Sequence, residues 1–262
     1  MKVKKFNSLI IFFLLIVLAS IAPFSSAQDE TPEKKRAREI LRTIDDMWRG
    51  DSSYTKFTMN VKTANYERNM ELEGWSKGKD KTLVVILLPL KERGTATLKS
   101  GNNIYSYLPK TDRTIRLTSG MMMGSWMGSH FTNDDLVKES SMEEDYEPSV
   151  TFEGVKDGRN IIEFELIPKP DAAVVWGKIS VTVLAEDYIP LIEYFYDEDM
   201  NIARTMTFSG VRELAGRPRP TVMRVLPADK PDEYTELNYK EMELDIEISD
   251  DFFSIGNLKR RR

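Results

Sequence analysis

Few residues in this chain could do bond chemistry. His130 is its single histidine, and cysteine is absent. One imidazole cannot build a multi-histidine metal site or a Glu-x-x-His pair. Without cysteine there is no disulfide, thiolate ligand, thiol nucleophile or acylated lipoprotein cysteine. A serine triad would need His130, but its neighbour Ser129 points to the opposite face of an extended segment. The Gly-x-Ser-x-Gly elbow does not occur. The acids cluster as Asp134-Asp135, Glu143-Glu144-Asp145 and Asp197-Glu198-Asp199. None has the alternating spacing and glycine of a calcium loop, and Asp134 and Asp135 suit a first helical turn. These residues predict a non-enzyme with no metal and no cofactor.

The unusual chemistry is apolar. Gly120, Gly124 and Gly128 punctuate a run holding Met121, Met122, Met123, Trp126 and Met127, followed by Phe131. Unbranched, polarizable methionines repack around ligands of varied shape, and the glycines free the backbone. Two readings stay open: a mobile apolar gate, or a loop that tucks its side chains into a core. On the first reading, the expected acyl-chain contacts are Phe57, Met59, Trp75, Met121, Met122, Met123, Trp126, Met127 and Phe131.

The elements that would position these residues follow from periodicity. Thr31-Pro32 reads as an N-cap and first helical residue. Ala37, Ile40, Leu41, Ile44, Met47 and Trp48 then share one helical face, and Gly50 ends the helix. The opposite face, with Lys34, Lys35, Arg38, Arg42 and Arg49, reads as a solvated surface. From Tyr54 the period becomes two, with turn chemistry such as Lys156-Asp157-Gly158-Arg159 between the runs. Leu83–Leu88 is apolar on both faces, so it reads as a central strand covered on each side, with the N-terminal helix as the cover. A second helical start lies at Asn133–Glu139, capped by Thr132 or Asn133. Ten or eleven strand candidates, few helices and no βαβ alternation predict a mainly β (α+β) fold. The expected form is a curved antiparallel sheet making a half-open barrel, covered by the N-terminal helix and a short lid helix.

The bulk numbers bound the partners. A net charge of −5 and a pI near 5.3 exclude the basic excess that nucleic-acid binding needs. Met1-Lys2-Val3-Lys4-Lys5, the apolar run Leu9–Ala22 and Ser25-Ser26-Ala27 read as a signal peptide cleaved after Ala27. The expected organisation is a signal peptide at 1–27, one domain at 28–258 and a basic tail at 259–262. The mature protein is then expected in the periplasm.

Several blocks resemble a known family. They are Trp75-Ser76-Lys77-Gly78-Lys79-Asp80, Pro89 with Arg93-Gly94, Tyr107-Leu108-Pro109-Lys110, and Met127-Gly128-Ser129-His130-Phe131-Thr132-Asn133-Asp134-Asp135-Leu136. Together they resemble the outer-membrane lipoprotein-sorting proteins related to LolA, over most of the mature chain. The resemblance implies an incomplete barrel closed by helices, with an apolar interior that holds acyl chains. It also implies a monomeric carrier of acylated lipoprotein or lipid, passing between an inner-membrane transporter and an outer-membrane acceptor by transient membrane contact. An accessory subunit of a lipid exporter, working through protein contacts, is the alternative. His130 departs from the family pattern, where an acidic residue is usual, and the chain is longer than the classical carrier.

Overall fold

The computed structural model describes residues 31–135, 142–172 and 174–260. The expected signal peptide at 1–27 lies outside them, as do residues 136–139 of the expected lid helix. From Thr31 onward the chain is one compact unit.

Helix α1 spans Pro32–Arg49. Thr31 Oγ1 accepts from Lys34 N–H at 3.4 Å, and Gly50, at φ 55°, donates its N–H back to Asp46 O. Ala37, Ile40, Leu41, Ile44 and Met47 are buried along one face. The basic face is paired rather than simply solvated. Arg36 forms a two-pronged bond with Glu153 at 2.7 and 2.6 Å, and Arg38 and Arg42 engage Glu147 and Glu143.

The strands are β1 (Ser52–Lys62), β2 (Glu67–Lys77), β3 (Lys81–Leu88), β4 (Ala96–Ser100), β5 (Asn103–Leu108), β6 (Arg113–Arg116), β7 (Tyr146–Lys156), β8 (Arg159–Pro168), β9 (Lys178–Leu184), β10 (Pro190–Tyr196), β11 (Ile202–Ser209), β12 (Arg212–Leu214), β13 (Arg217–Arg219), β14 (Val222–Pro227) and β15 (Tyr234–Leu244). Thirteen of them form one antiparallel sheet in the order β6-β5-β4-β3-β2-β1-β15-β14-β11-β10-β9-β8-β7, so there are more strands than the ten or eleven expected. The sheet curves but does not close, and β6 and β7 are its edges. Register slips at Lys56/Phe57, Glu71/Leu72, Val150/Phe152 and Phe195/Tyr196 supply bulges that bend the strands. β12 and β13 form a separate hairpin. From it, buried Arg219 donates through Nε to Met47 O at the end of α1, at 2.7 Å.

One core fills the concave side, joining Ile40, Leu41 and Ile44 of α1 to Phe57, Leu72, Phe164, Val181 and Val225 of the sheet. A second core lies on the other face of β3–β5. There Leu83, Val85, Leu98 and Tyr107 are covered by Phe253 and Leu258, from the turn Asp250–Phe253 and helix α3 (Ile255–Arg260). The short helix Met142–Asp145 is α2. Strand β3 is thus covered on both faces as expected, but its second cover is the C-terminal segment and not α1. Lys259 and Arg260, expected in a basic tail, belong to α3.

Candidate functional site

The segment from Thr118 to Asp135 leaves edge strand β6 and folds back over the concave side. Its short turns, Ser119–Met121 and Trp126–Gly128, are closed by the bridge between Ser125 and Thr132 and by Trp126 N–H to Phe131 O at 2.8 Å. Met127 and Gly128, at φ 51° and 72°, make a left-handed reversal. For Gly128 such a conformation carries no side-chain penalty.

The segment is anchored at four points along it: Trp126, the Met127–Gly128 reversal, His130 and Asp135. The Trp126 indole N–H donates to Thr97 Oγ1 on β4 at 3.0 Å. Tyr66 O–H donates to Gly128 O at 2.6 Å, and Arg68 to Met127 O at 2.5 Å. His130 sits on β15: its backbone N–H and its Nδ1 each lie 2.9 Å from Thr235 Oγ1. Its Nε2 is 3.1 Å from Glu233 Oε2. The Glu233 carboxylate lies below the ordinary glutamate range, first because Ala64 N–H donates to it and then because His130 does. The fourth anchor is Asp135. It accepts from Thr132 N–H at 2.7 Å while its own N–H donates to Thr132 Oγ1 at 3.1 Å, a reciprocal pair of bonds. The same carboxylate receives both Arg204 terminal nitrogens at 2.7 Å. The Arg204 guanidinium lies 4.2 Å from the Phe195 ring centre and 4.6 Å from that of Trp176.

Beneath the segment two cavities meet. The first, about 80 Å³, is lined by Leu41, Ile44, Phe195, Met206 and Phe208, with the Arg204–Asp135 pair in its wall. The second, about 160 Å³, lies against Phe57, Val84, Trp126, Leu237 and Tyr239. Trp48, Phe131, Asp135 and Met223 border both. Among the described residues, no group of three or more acidic or histidine side chains is placed to hold a metal.

The expected contact residues divide. Phe57, Trp126 and Phe131 line the cavities, and Met127 packs against the same core. Met59 is fully buried in that core without lining either cavity. Trp75 borders the second cavity, yet its indole packs between Tyr54 and Phe252, with ring centres at 5.6 and 5.4 Å. Met121 and Met123 are exposed, Met122 is half-buried, and none of the three lines a cavity. Their turn bonds back on itself through Asn133 Nδ2, which donates to Met121 O and Gly124 O. That closure turns the methionines outward. Sequence reasoning missed Trp48, Trp176, Arg204 and Met223. Arg204 did carry a signal, since it shares the period-two face of Met206 and Phe208, where a lone charge is out of place.

Comparison with known proteins sharpens this picture. A family model described as "Uncharacterized protein" matches residues 78–260, more than half of the chain. A crystal structure of a DUF1329 family protein from Desulfovibrio piger superposes with a TM-score of 0.77 at 20% identity, covering 87% of this chain and 100% of the other. An outer-membrane lipoprotein-sorting protein domain from Vibrio parahaemolyticus gives 0.73 at 25% identity, over 87% and 100%. A LolA superfamily protein from Nitrosomonas europaea gives 0.70 at 23%, over 84% and 98%.

This chain belongs to the family that the matching model describes, and its fold is LolA-like.

Curated proteins gave no match. The likeness is one of fold: a long antiparallel sheet that does not close, with an N-terminal helix.

Proposed function

We propose that this LolA-like protein is a periplasmic, non-enzymatic carrier that holds acyl chains of a lipoprotein or lipid between α1 and the curved sheet, and delivers them toward the outer membrane. The observation that carries this reading is the pair of mainly apolar cavities meeting at Trp48, Phe131 and Met223, beneath a segment that buries Trp126 and Phe131 and is tied down by hydrogen bonds and the Arg204–Asp135 ion pair. The name of the Vibrio relative, a lipoprotein-sorting domain, supports the same class of cargo. Among the described residues no helix is long and apolar enough to cross a membrane.

Energetics favour a closed resting form. Burying a methylene contributes roughly 0.8 kcal/mol, so a chain of about 16 carbons could gain on the order of 12 kcal/mol before ordering costs. A carrier that kept all of this would never release. Cavities of about 80 and 160 Å³ are too small for such a chain, so cargo must displace α1 or the crossing segment. That work offsets part of the gain.

The test is mass spectrometry of protein purified from its native envelope, together with titration by a fluorescent fatty acid. A co-purifying acylated molecule, and a fatty-acid affinity that falls at least tenfold in Leu41→Trp with folding intact, are expected. A protein that carries no lipid and binds no fatty acid sinks the proposal.

A further inference from the structure

We propose that the tips of the β3–β4 and β5–β6 hairpins form a docking surface for an anionic lipid bilayer. Antiparallel pairing sets Val85 against Ala96 and Ala96 against Tyr107. The connections 89–95 and 109–112 therefore project from the same end of the sheet. The first tip exposes Leu88 and Leu90, the latter 71% exposed, and the second exposes Leu108.

Cations flank these leucines. Lys91 and Arg93 are exposed on the first tip, and Lys110 and Arg113 on the second. The acids of the two tips are already engaged. Glu92 is held by Arg68, with Lys91 Nζ 3.9 Å away, and Asp112 accepts from Tyr107 O–H at 3.0 Å. Among the described residues, Arg93, Lys110 and Arg113 form no ion pair. A chain of net charge −5 thus gathers four cations around three exposed leucines at one end.

That pairing selects the partner. Single exposed leucines are ordinary, but leucines at projecting tips ringed by cations match an anionic membrane interface. The apolar chains enter the headgroup region while lysine and arginine meet lipid phosphates. Arg68 links this end to the crossing segment, because it bonds both Glu92 and Met127 O. A docked bilayer would therefore lie next to one of the segment's anchors. These tip residues lie outside both cavities, so membrane docking is independent of lipid held within them.

The experiment is flotation of the purified protein with vesicles of equal phosphatidylglycerol and phosphatidylcholine, against phosphatidylcholine alone. Binding to the anionic vesicles only is expected, weakening as salt rises. Each cation at a charged surface is worth about a fivefold change in partition, so Lys91→Gln with Arg93→Gln should lose about 25-fold. Leu90→Asp should also weaken binding while fatty-acid affinity and melting temperature hold, since this side chain packs against little. Equal binding to both vesicles, absence of binding, or indifference to these substitutions overturns the proposal. So does a result in which the variants lose only an envelope protein partner.

Discussion

Arg204 shows most plainly what a single residue does here. Its guanidinium is buried between two aromatic rings, and its charge is matched by Asp135, an acid supplied by the crossing segment. Removing Asp135 alone would take away the carboxylate that pairs with this guanidinium, leaving the buried Glu193 as the other acid in the same cavity wall. Asp135→Ala is therefore expected to cost about 3–5 kcal/mol in urea denaturation. Arg204→Met combined with Asp135→Leu should recover much of that loss, because a buried pair and a well-packed apolar pair are often close in energy. Glu233 makes a different prediction. Its folded-state pKa is depressed, so its contribution is complete above the ordinary glutamate value of about 4.3 and is lost as pH falls through the lower folded value. Below that ordinary value, stability should fall less steeply in Glu233→Gln than in the parent, as read by denaturant titration from pH 6 to pH 3. An identical slope in both proteins would remove Glu233 from the account.

Among the elements, the C-terminal segment has the largest structural effect for its length. Phe253 is 3% exposed and meets Phe252 edge-on at 5.2 Å between ring centres, and Phe252 in turn reaches Trp75. Asp250 joins Lys77 and Lys81 at 2.8 and 2.7 Å, and those two ammonium groups hold its carboxyl down at about 2. Phe253→Ala should cost about 3–5 kcal/mol, measured by chemical denaturation, because it opens a cavity against Leu83 and Tyr107. By contrast the Arg36–Glu153 pair is nearly half exposed on both sides. Arg36→Ala is expected to change stability by under about 1 kcal/mol. Helix α1 is held chiefly by its apolar face and by Arg219 at its end.

On the scale of the molecule, the four tryptophans make cavity occupancy visible. Trp48 borders both cavities, Trp176 the first, and Trp75 and Trp126 the second. An acyl chain entering this interior would replace water beside indole rings. A blue shift of several nanometres in intrinsic fluorescence is expected on adding palmitate, and it should be reduced in Trp48→Phe. No shift at saturating ligand would count against occupancy of these cavities. The open edges β6 and β7 leave the sheet free to change curvature, which a closed barrel could not do.

The features legible before folding are those that local periodicity carries. The 3.6-residue stripe from Ala37 to Trp48 and the alternation through Phe57, Met59 and Val61 appear as α1 and β1, because side-chain direction repeats with backbone geometry. The chain offered Thr132 or Asn133 as a cap, and the local bonds between Thr132 and Asp135 favour Thr132. The rest is set by partners far apart in the chain, which no local pattern encodes. The outward turn of Met121 and Met123 depends on Asn133 closing that loop. The cover over Leu83 and Val85 comes from Phe253, some 170 residues later. The assignment of Arg204 to the cavity wall depends on sheet curvature and on Asp135 meeting it across the concave side. Composition identified the apolar residues of this chain, but only packing decided which of them face the hollow.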